Sequence, residues 1–246
     1  MKILLLLPFL FSLQAQSVPP PTTTSPAAFA FIAADDTNIQ YTGRWEHATP
    51  TARWCAWQGS SITVLLDGSR IEADLDVGSS TEWFRVIVDG NHQDSRKLTI
   101  TPGRKWVTLA GGLGPGQHRV DLVKESYAGG NITFHGLRIR GTGLATPPPR
   151  PSHRIEFYGD SNLAGSSNES EKDGGHNKLV GVHFGFSGVL ARMLDAQYHL
   201  IAAGGETLNS MSNRFDRMRR YNENPNWDFQ RYRPEVVIIN LGANDV

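Results

Sequence analysis

The stretch 155-IEFYGDSNLAG-165 decides how the second half of the chain is interpreted. Its first four residues form a short, mostly apolar run of the kind that becomes a buried β-strand, and the run ends at Gly159-Asp160-Ser161. A serine at a strand-to-helix turn has an exposed hydroxyl, and the nearby helix N-terminus favours negative charge. Ser161 is therefore a candidate nucleophile. Asp160 is expected to order the turn by accepting backbone N–H groups, without a part in the chemistry.

Strand-like runs and helical patterns alternate around and after this stretch. The strand-like runs are 155–158, 198–202 and 236–241, and the helical patterns carry apolar residues at 179, 182, 186, 189 and 193 and at 208, 211, 215 and 218. The order β-α-β-α-β predicts parallel strands joined by right-handed crossovers. We therefore predict an α/β domain with a flavodoxin-like parallel sheet over residues 153–246.

The other two strands also end in polar or glycine-rich elements, 204-GGET-207 and 242-GAND-245. The carboxyl ends of parallel strands lie along one rim of a sheet, so these elements should meet Ser161 there. The Ser161 and Gly205 N–H groups and the Asn244 side chain would then form an oxyanion hole. The plainer interpretation is that Gly-Gly is only a turn and that Asn244-Asp245 is a structural cap for a helix.

The first half of the chain has a different pattern of apolar residues. From about 38 to 141 the apolar residues mostly alternate and closely spaced turns carry glycine, which predicts an all-β domain, a β-sandwich or jelly roll. Residues 142–152 hold four prolines and are expected to be the linker to the second domain.

The N-terminus has the features of a secretory signal peptide over residues 1–17, followed by a flexible Pro/Thr-rich leader over 18–37. We therefore expect a secreted or periplasmic protein with no membrane association after cleavage.

Lys and Arg total 24, equal to Asp and Glu, so no charge excess favours a nucleic-acid partner. The single cysteine, Cys55, is expected to be buried, no zinc-type spacing is present, and no metal or cofactor is predicted. Asn131 and Asn168 begin glycosylation sequons.

The segments GDSNLAG, IAAGGETL and NLGAND resemble the first three blocks of the SGNH (GDSL-type) hydrolases. The half from YTGRW to IRGTG, placed before RIEFYGDS, is similar to carbohydrate esterase family 2, so that the resemblance runs from about Gln40 to Asp245. It implies a serine hydrolase without cofactor that removes O-acetyl groups from plant-type polysaccharides such as xylan or glucomannan. Ser161 would be the nucleophile, and Ser161, Gly205 and Asn244 would form the oxyanion hole.

The general base is the part of this resemblance that the sequence does not supply. The family takes a histidine from a late Asp-x-x-His block, which is not present up to Val246, so the chain is expected to be truncated and nearly inert. Asp173-Gly-Gly-His176 matches the spacing, but the segment ending at His92 in the β half matches it equally well. His183 and His199 are expected to have structural roles.

One aromatic residue is a candidate for contact with a sugar, and two functions other than acetyl ester hydrolysis remain open. Trp227, in a polar stretch before the third strand, is the best candidate for stacking on a sugar ring. A non-catalytic carbohydrate-binding protein with a vestigial hydrolase half, or a broader GDSL lipase or esterase, would also fit the sequence.

Overall fold

A computed structural model describes residues 28–126, 130–166, 168–169, 180–219 and 225–245. Its first half is an antiparallel sheet in which the strands run in the order β3-β4-β10-β5-β9-β6-β7, with β1 paired to β10 and both β2 and β8 paired to β5. The strands of this half are β1 (Ala30–Ala33), β2 (Gln40–Thr42), β3 (Trp45–Thr49), β4 (Ala52–Cys55), β5 (Ser61–Val77), β6 (Glu82–Val88), β7 (Arg96–Ile100), β8 (Gly103–Gly111), β9 (Gln117–Lys124) and β10 (Ile132–Ala145). The predicted β-rich first half is confirmed.

The two longest strands of the β half, β5 and β10, pair with each other in antiparallel orientation. Their register shifts around Gly141, where a Cβ would lie 2.1 Å from the carbonyl oxygen of Asp67, and a Cβ on Gly68 would lie 2.4 Å from that of Arg140. Glycine at both positions therefore permits the close crossing at which the strand pair changes register. Their alternating apolar side chains, such as Leu66 and Leu75, form a single buried cluster with those of the neighbouring strands.

The boundaries of the β half differ from the predicted ones at both ends. The leader predicted over 18–37 is not flexible throughout, because Ala30–Ala33 form β1 and pair with Gly136–Ile139 of β10. Gly136 allows this approach, since a Cβ there would lie 2.4 Å from the carbonyl oxygen of Ile32. The linker predicted from 142 begins later, because β10 continues to Ala145 on ladder bonds to β5.

The second half contains a three-stranded parallel sheet in the order β12-β11-β13. Its elements are β11 (His153–Gly159), α1 (Phe186–Met193), β12 (Ala196–Ala202), α2 (Leu208–Ser212) and β13 (Val236–Asn240). This is the expected alternation, but both helices are shorter than the apolar patterns suggested. α1 begins at Phe186 rather than near 179, and α2 ends before Phe215. Within the described residues, no helix is long and apolar enough to cross a membrane.

The two halves are joined by buried polar contacts. Arg44 of the β half donates to Glu156 at 3.0 Å and to the Tyr158 hydroxyl at 3.2 Å, and both partners lie on β11. Arg44 and Glu156 are 1% and 2% exposed, so this ion pair is removed from water. Gln58 donates to the carbonyl oxygen of Ala202 at 2.6 Å and so fixes the β half to the end of β12. The β half therefore contacts the parallel sheet directly.

Candidate active site

The first loop of the candidate site leaves β11 through a tight turn. A Cβ on Gly159 would lie 2.5 Å from Leu163 Cδ2 and 3.0 Å from the carbonyl oxygen of Asn240 on β13. Only glycine fits between these two groups, and Leu163 is fully buried beneath the turn. The backbone N–H of Ala164 donates to the carbonyl oxygen of Asp160 at 3.0 Å, which closes the turn.

Asp160 and Ser161 differ in exposure as their proposed roles require. Asp160 is 1% exposed, and its Oδ1 accepts the N–H of Asn162 at 2.9 Å, which is the turn-ordering contact expected from the sequence. Ser161 is half-buried at the surface of the same turn. Its carbonyl oxygen accepts the N–H of Ser166 at 3.0 Å, which fixes its backbone.

The second loop follows β12 and is organised around Glu206. Gly205 is exposed with φ +75°, a left-handed conformation that favours glycine. A Cβ added to Gly205 would have no atom within 4 Å. Glu206 is 1% exposed, and its carboxylate accepts from the Ser210 hydroxyl and from Arg214, each at 2.5 Å. Thr207 caps α2 by accepting the N–H of Ser210 at 3.0 Å.

The third loop follows β13 and connects the other two. The Asn244 amide nitrogen donates to the carbonyl oxygen of Glu206 at 3.0 Å and lies 3.4 Å from Asp160 Oδ2. The Asp245 carboxylate accepts the N–H of Leu208 at 2.9 Å, so that it caps α2 from a distant part of the sequence. The three strand ends are therefore neighbours along one rim. The bridging contacts are made by Asp160 and Glu206, the residues adjoining Ser161 and Gly205.

The segment that follows Ser161 is held against the β half by a charged cluster. Glu169 is paired with Arg85 of β6 and with Lys97 of β7, the latter at 2.6 Å. Arg85 also donates to Glu125 at 2.6 Å, and Glu125 accepts the N–H of His183 at 3.2 Å. Because Glu125 is buried, its pKa is raised despite the Arg85 contact. The β half therefore braces the loop that carries the candidate nucleophile.

None of the histidines within the described ranges is hydrogen-bonded to the Ser161 hydroxyl. The ring of His183 lies 3.1 Å from that of His92, and His199 stacks on Tyr232 with ring centroids 3.7 Å apart. Both histidines are buried, which agrees with the structural roles expected of them. His176 lies outside the described residues.

The prediction that Trp227 is placed to stack on a sugar ring is wrong. Trp227 is 6% exposed and packs in a buried cluster with Trp54, Met218 and Tyr232. The polar sequence around it suggested an exposed loop, but the large indole ring is more stable covered by other aromatic and apolar side chains.

The residue that the sequence analysis missed at the site is Glu206. Its partners Ser210 and Arg214 follow it at intervals of four and eight positions, the spacing that places side chains on one face of a helix. That spacing is the signal that would have identified it.

Among the described residues there is no group of three or more His, Cys, Asp or Glu that would hold a metal ion. Cys55 is buried as predicted, and burial raises the pKa of its thiol to about 12.

Comparison with known proteins gives similarities over most of the chain. A family model described as "Carbohydrate esterase 2 N-terminal" matches residues 41–149. Cellulase/esterase CelE of Acetivibrio thermocellus is 33% identical over 225 residues, 86% of this chain. An acetylxylan esterase / glucomannan deacetylase of Cellvibrio japonicus is 28% identical over 229 residues, 87% of this chain. The chain spans 27% and 63% of the length of these two relatives.

The fold is also that of a solved structure. A family two carbohydrate esterase from Cellvibrio japonicus superposes with a TM-score of 0.81 at 26% identity. The superposition covers 89% of this chain and 69% of that structure, and so includes both the β half and the parallel sheet.

Proposed function

We propose that the chain is a secreted carbohydrate O-acetylesterase of the SGNH hydrolase type, and the match of residues 41–149 to the carbohydrate esterase 2 N-terminal model supports this. Its substrates would be acetyl esters on plant-type polysaccharides such as acetylxylan or glucomannan. One observation supports this function best: the Asn244 amide contacts both Asp160 and Glu206, so the candidate nucleophile, glycine N–H and amide donor occupy one rim.

In the proposed reaction the Ser161 hydroxyl oxygen attacks the acetyl carbonyl carbon and gives its proton to a base. The Ser161 and Gly205 N–H groups and the Asn244 amide would stabilise the oxyanion of the tetrahedral intermediate. Collapse breaks the ester bond, and the sugar oxygen leaves with a proton from the protonated base. Water then hydrolyses the acetyl-Ser161 ester, releasing acetate and regenerating the hydroxyl.

The Asn244 amide has protein acceptors in this structure. The contact with the Glu206 carbonyl is of ordinary length at 3.0 Å, whereas the one with Asp160 is long at 3.4 Å. An oxyanion at the site would compete with Asp160 for the second amide hydrogen. The stronger contact would keep the amide oriented while it donates.

The proton acceptor is assigned to a histidine outside the described ranges, either His176 or one supplied in addition to this chain. A serine hydroxyl without a base is a poor nucleophile, and losing the base in triad-type enzymes lowers turnover by roughly 10⁴ to 10⁶. If His176 is not this base, acetylation of Ser161 should be slow, and added imidazole should accelerate it by acting as the base.

The test is to incubate the chain with 4-nitrophenyl acetate and with acetylated xylo-oligosaccharides, with and without imidazole, and to locate the acetyl adduct by mass spectrometry. We expect an adduct on Ser161 and a turnover increase with imidazole that the Ser161→Ala control lacks. Asn244→Ala should lower the rate by about 10² to 10³ through loss of one oxyanion donor. Equal acetyl release by Ser161→Ala would remove this serine from the mechanism.

A second candidate function is glycan binding without catalysis. It is favoured by the finding that no histidine of the described segments is hydrogen-bonded to Ser161. Binding of xylan or glucomannan oligosaccharides that is unaffected by Ser161→Ala, with no acetyl release even in imidazole, would select this function. A broader GDSL esterase would instead retain activity as the acyl chain is lengthened.

Secretion is proposed from the N-terminal sequence, and residues 1–17 lie outside the described ranges. Expression with the native N-terminus should release a protein whose first residue follows a site near Ala15 or Ser17. Terminal sequencing of the exported protein checks this expectation.

A further inference from the structure

A cavity of about 350 Å³ lies between the β half and the amino-terminal ends of β11 and β12, and arginines dominate its lining. Arg53 comes from β4, Arg150 from the segment before β11, Arg154 from β11, and Arg231 from the segment before β13. No aspartate or glutamate of the described chain lines it. We call this cavity the arginine pocket.

Among the described residues, most arginines of the arginine pocket form no ion pair with a carboxylate. Arg231 is paired with Glu46 at 2.8 Å, but within the described residues the other three guanidinium groups have no carboxylate at ion-pair distance. The buried Nε atoms of Arg53 and Arg154 also have no hydrogen-bond partner in the described part of the chain. Several guanidinium groups drawn together without counter-charge repel one another, and an anion would relieve that repulsion.

The neutral contacts of these arginines hold them in place. Arg53 Nη1 lies 2.9 Å from His47 Nε2, and Arg150 Nη1 donates to the carbonyl oxygen of Tyr41 at 2.8 Å. The guanidinium of Arg53 also lies over the ring of Tyr41, 5.1 Å from its centroid. The pocket is therefore partly organised without a ligand, which lowers the entropy cost of binding one.

The chemistry of the lining indicates which ligand it would take. Guanidinium groups bind carboxylates and phosphates through paired hydrogen bonds, and the lining also includes Tyr41, whose ring adds apolar surface. The volume lies at the small end of the range for ligand pockets, about 300–1,000 Å³, which suits one or two sugar rings. We propose that the arginine pocket binds the carboxylate of a uronic acid sugar. The anion site stands on the geometry alone, whereas the choice of a sugar as its carrier rests on the proposed function.

The arginine pocket is separate from the candidate active site. Arg154 is the second residue of β11, and Ser161 lies beyond the opposite end of the same strand. Seven residues of extended strand span about 20 Å. A monosaccharide in the arginine pocket therefore does not reach Ser161, and its binding is measurable independently of ester hydrolysis.

Isothermal titration calorimetry of the chain with D-glucuronate tests the proposal, with D-glucose and inorganic phosphate as comparison ligands. We expect glucuronate to bind, glucose to bind at least about tenfold more weakly, and affinity to fall with salt. Arg154→Gln should weaken glucuronate binding about tenfold or more, and Arg154→Lys should recover only part of the loss because it lacks the paired donors. The matched control is Arg233→Gln, an exposed arginine outside the pocket, which should bind as the unmodified chain does.

The outcomes separate this site from the proposed function. Ser161→Ala should bind glucuronate unchanged, so failure of acetyl release does not affect this result. Equal loss of binding in Arg154→Gln and Arg233→Gln would overturn the site, provided that both variants keep the same thermal unfolding midpoint. Binding of inorganic phosphate without glucuronate would overturn the sugar carboxylate as the ligand, and binding of neither anion would overturn the proposal altogether.

Discussion

Glu206 is the single residue whose surroundings show best how the candidate site is built. Its backbone carbonyl accepts from Asn244, while its side chain accepts from Ser210 and Arg214 of the following segment. One residue thus holds both Asn244, the proposed oxyanion donor, and the turn that contains Gly205. Because its carboxylate is buried and paired, removing its charge should disturb the site even though it is not proposed to touch the substrate.

The substitution Glu206→Gln tests this positioning role. It replaces charge-assisted hydrogen bonds with neutral ones, which should lower the free energy of unfolding by about 1–3 kcal/mol. The rate constant for acetylation of Ser161 should fall, with a smaller change in the concentration of 4-nitrophenyl acetate needed for half-maximal rate. Stopped-flow acylation and thermal unfolding measure the two effects. Glu235→Gln, an exposed carboxylate at the other end of β13, is the control, and an equal loss there would contradict the role of Glu206.

At the scale of elements, the site depends on how each strand of the parallel sheet ends. β11 ends at a glycine because Leu163 and the neighbouring strand β13 leave no room for a side chain. The loops after β12 and β13 each contain a glycine with positive φ, Gly205 and Gly242. Each of the three strand ends thus uses a glycine, and Asn244, which follows Gly242 by two residues, contacts Asp160 and Glu206 at the same rim.

Gly159→Ala should therefore disrupt the end of β11. The added methyl group would overlap Leu163 and approach the carbonyl oxygen of Asn240, so the turn carrying Ser161 must shift. Overpacking of this kind costs about 1–3 kcal/mol, and acylation of Ser161 should fall with it. Gly114→Ala is the matched control, since its added Cβ meets nothing within 4 Å and its φ is not positive. Urea denaturation of both variants checks the prediction, and equal midpoints would contradict it.

Local signals predicted much of these elements. The apolar runs before Gly159, Gly205 and Asn244 indicated three strands and their order, because strand runs and turn glycines are short-range features. The start of α1 was not predictable in the same way: apolar residues such as Val182 are buried in the segment before this helix without being helical. The arginine pocket was not predicted either, since Arg53 and Arg231 are far in sequence from the pair Arg150 and Arg154 and meet them only through tertiary packing.

At the scale of the whole molecule, the β half supports the parallel sheet through buried polar contacts. Arg44 reaches Glu156 across the boundary, and burial of such a pair makes the loss of one partner far more costly than the loss of both. Glu169, which is partly exposed, also pairs with Arg85 and Lys97 next to the loop of the candidate nucleophile. The two halves are thus expected to unfold together rather than as independent units.

The stability of the protein also depends on pH through His183, which lies where the parallel-sheet half contacts Glu125 of the β half. Burial lowers the pKa of His183 to about 3, and the nearby cations Arg192 and Arg85 and the ring of His92 act in the same direction, while Glu125 accepts its backbone N–H. In the unfolded chain the same ring has its ordinary pKa of about 6.5, so only the unfolded state gains a proton between these values. The contribution of His183 is complete above about pH 6.5 and is lost as the pH falls toward 3.

We expect the free energy of unfolding to fall with acidification in this window by up to about 1.4 kcal/mol per pH unit from this group. The measurement is urea denaturation at pH 7 and pH 5 for the unmodified chain and for His183→Gln, in which the difference between the two pH values should shrink. His153→Gln, which changes an exposed histidine, should leave that difference unaltered. An unchanged difference in His183→Gln would show that other groups set the acid sensitivity.

Within the described residues β13 is one of the two edge strands of the parallel sheet, and this has a practical consequence for handling the protein. Val236, Val237 and Ile239 are 50%, 51% and 63% exposed, and within the described residues β13 pairs only with β11. An apolar strand with a free backbone edge invites strands from other molecules. Concentrated samples should therefore self-associate and bind hydrophobic dyes, and assays are best done on dilute protein.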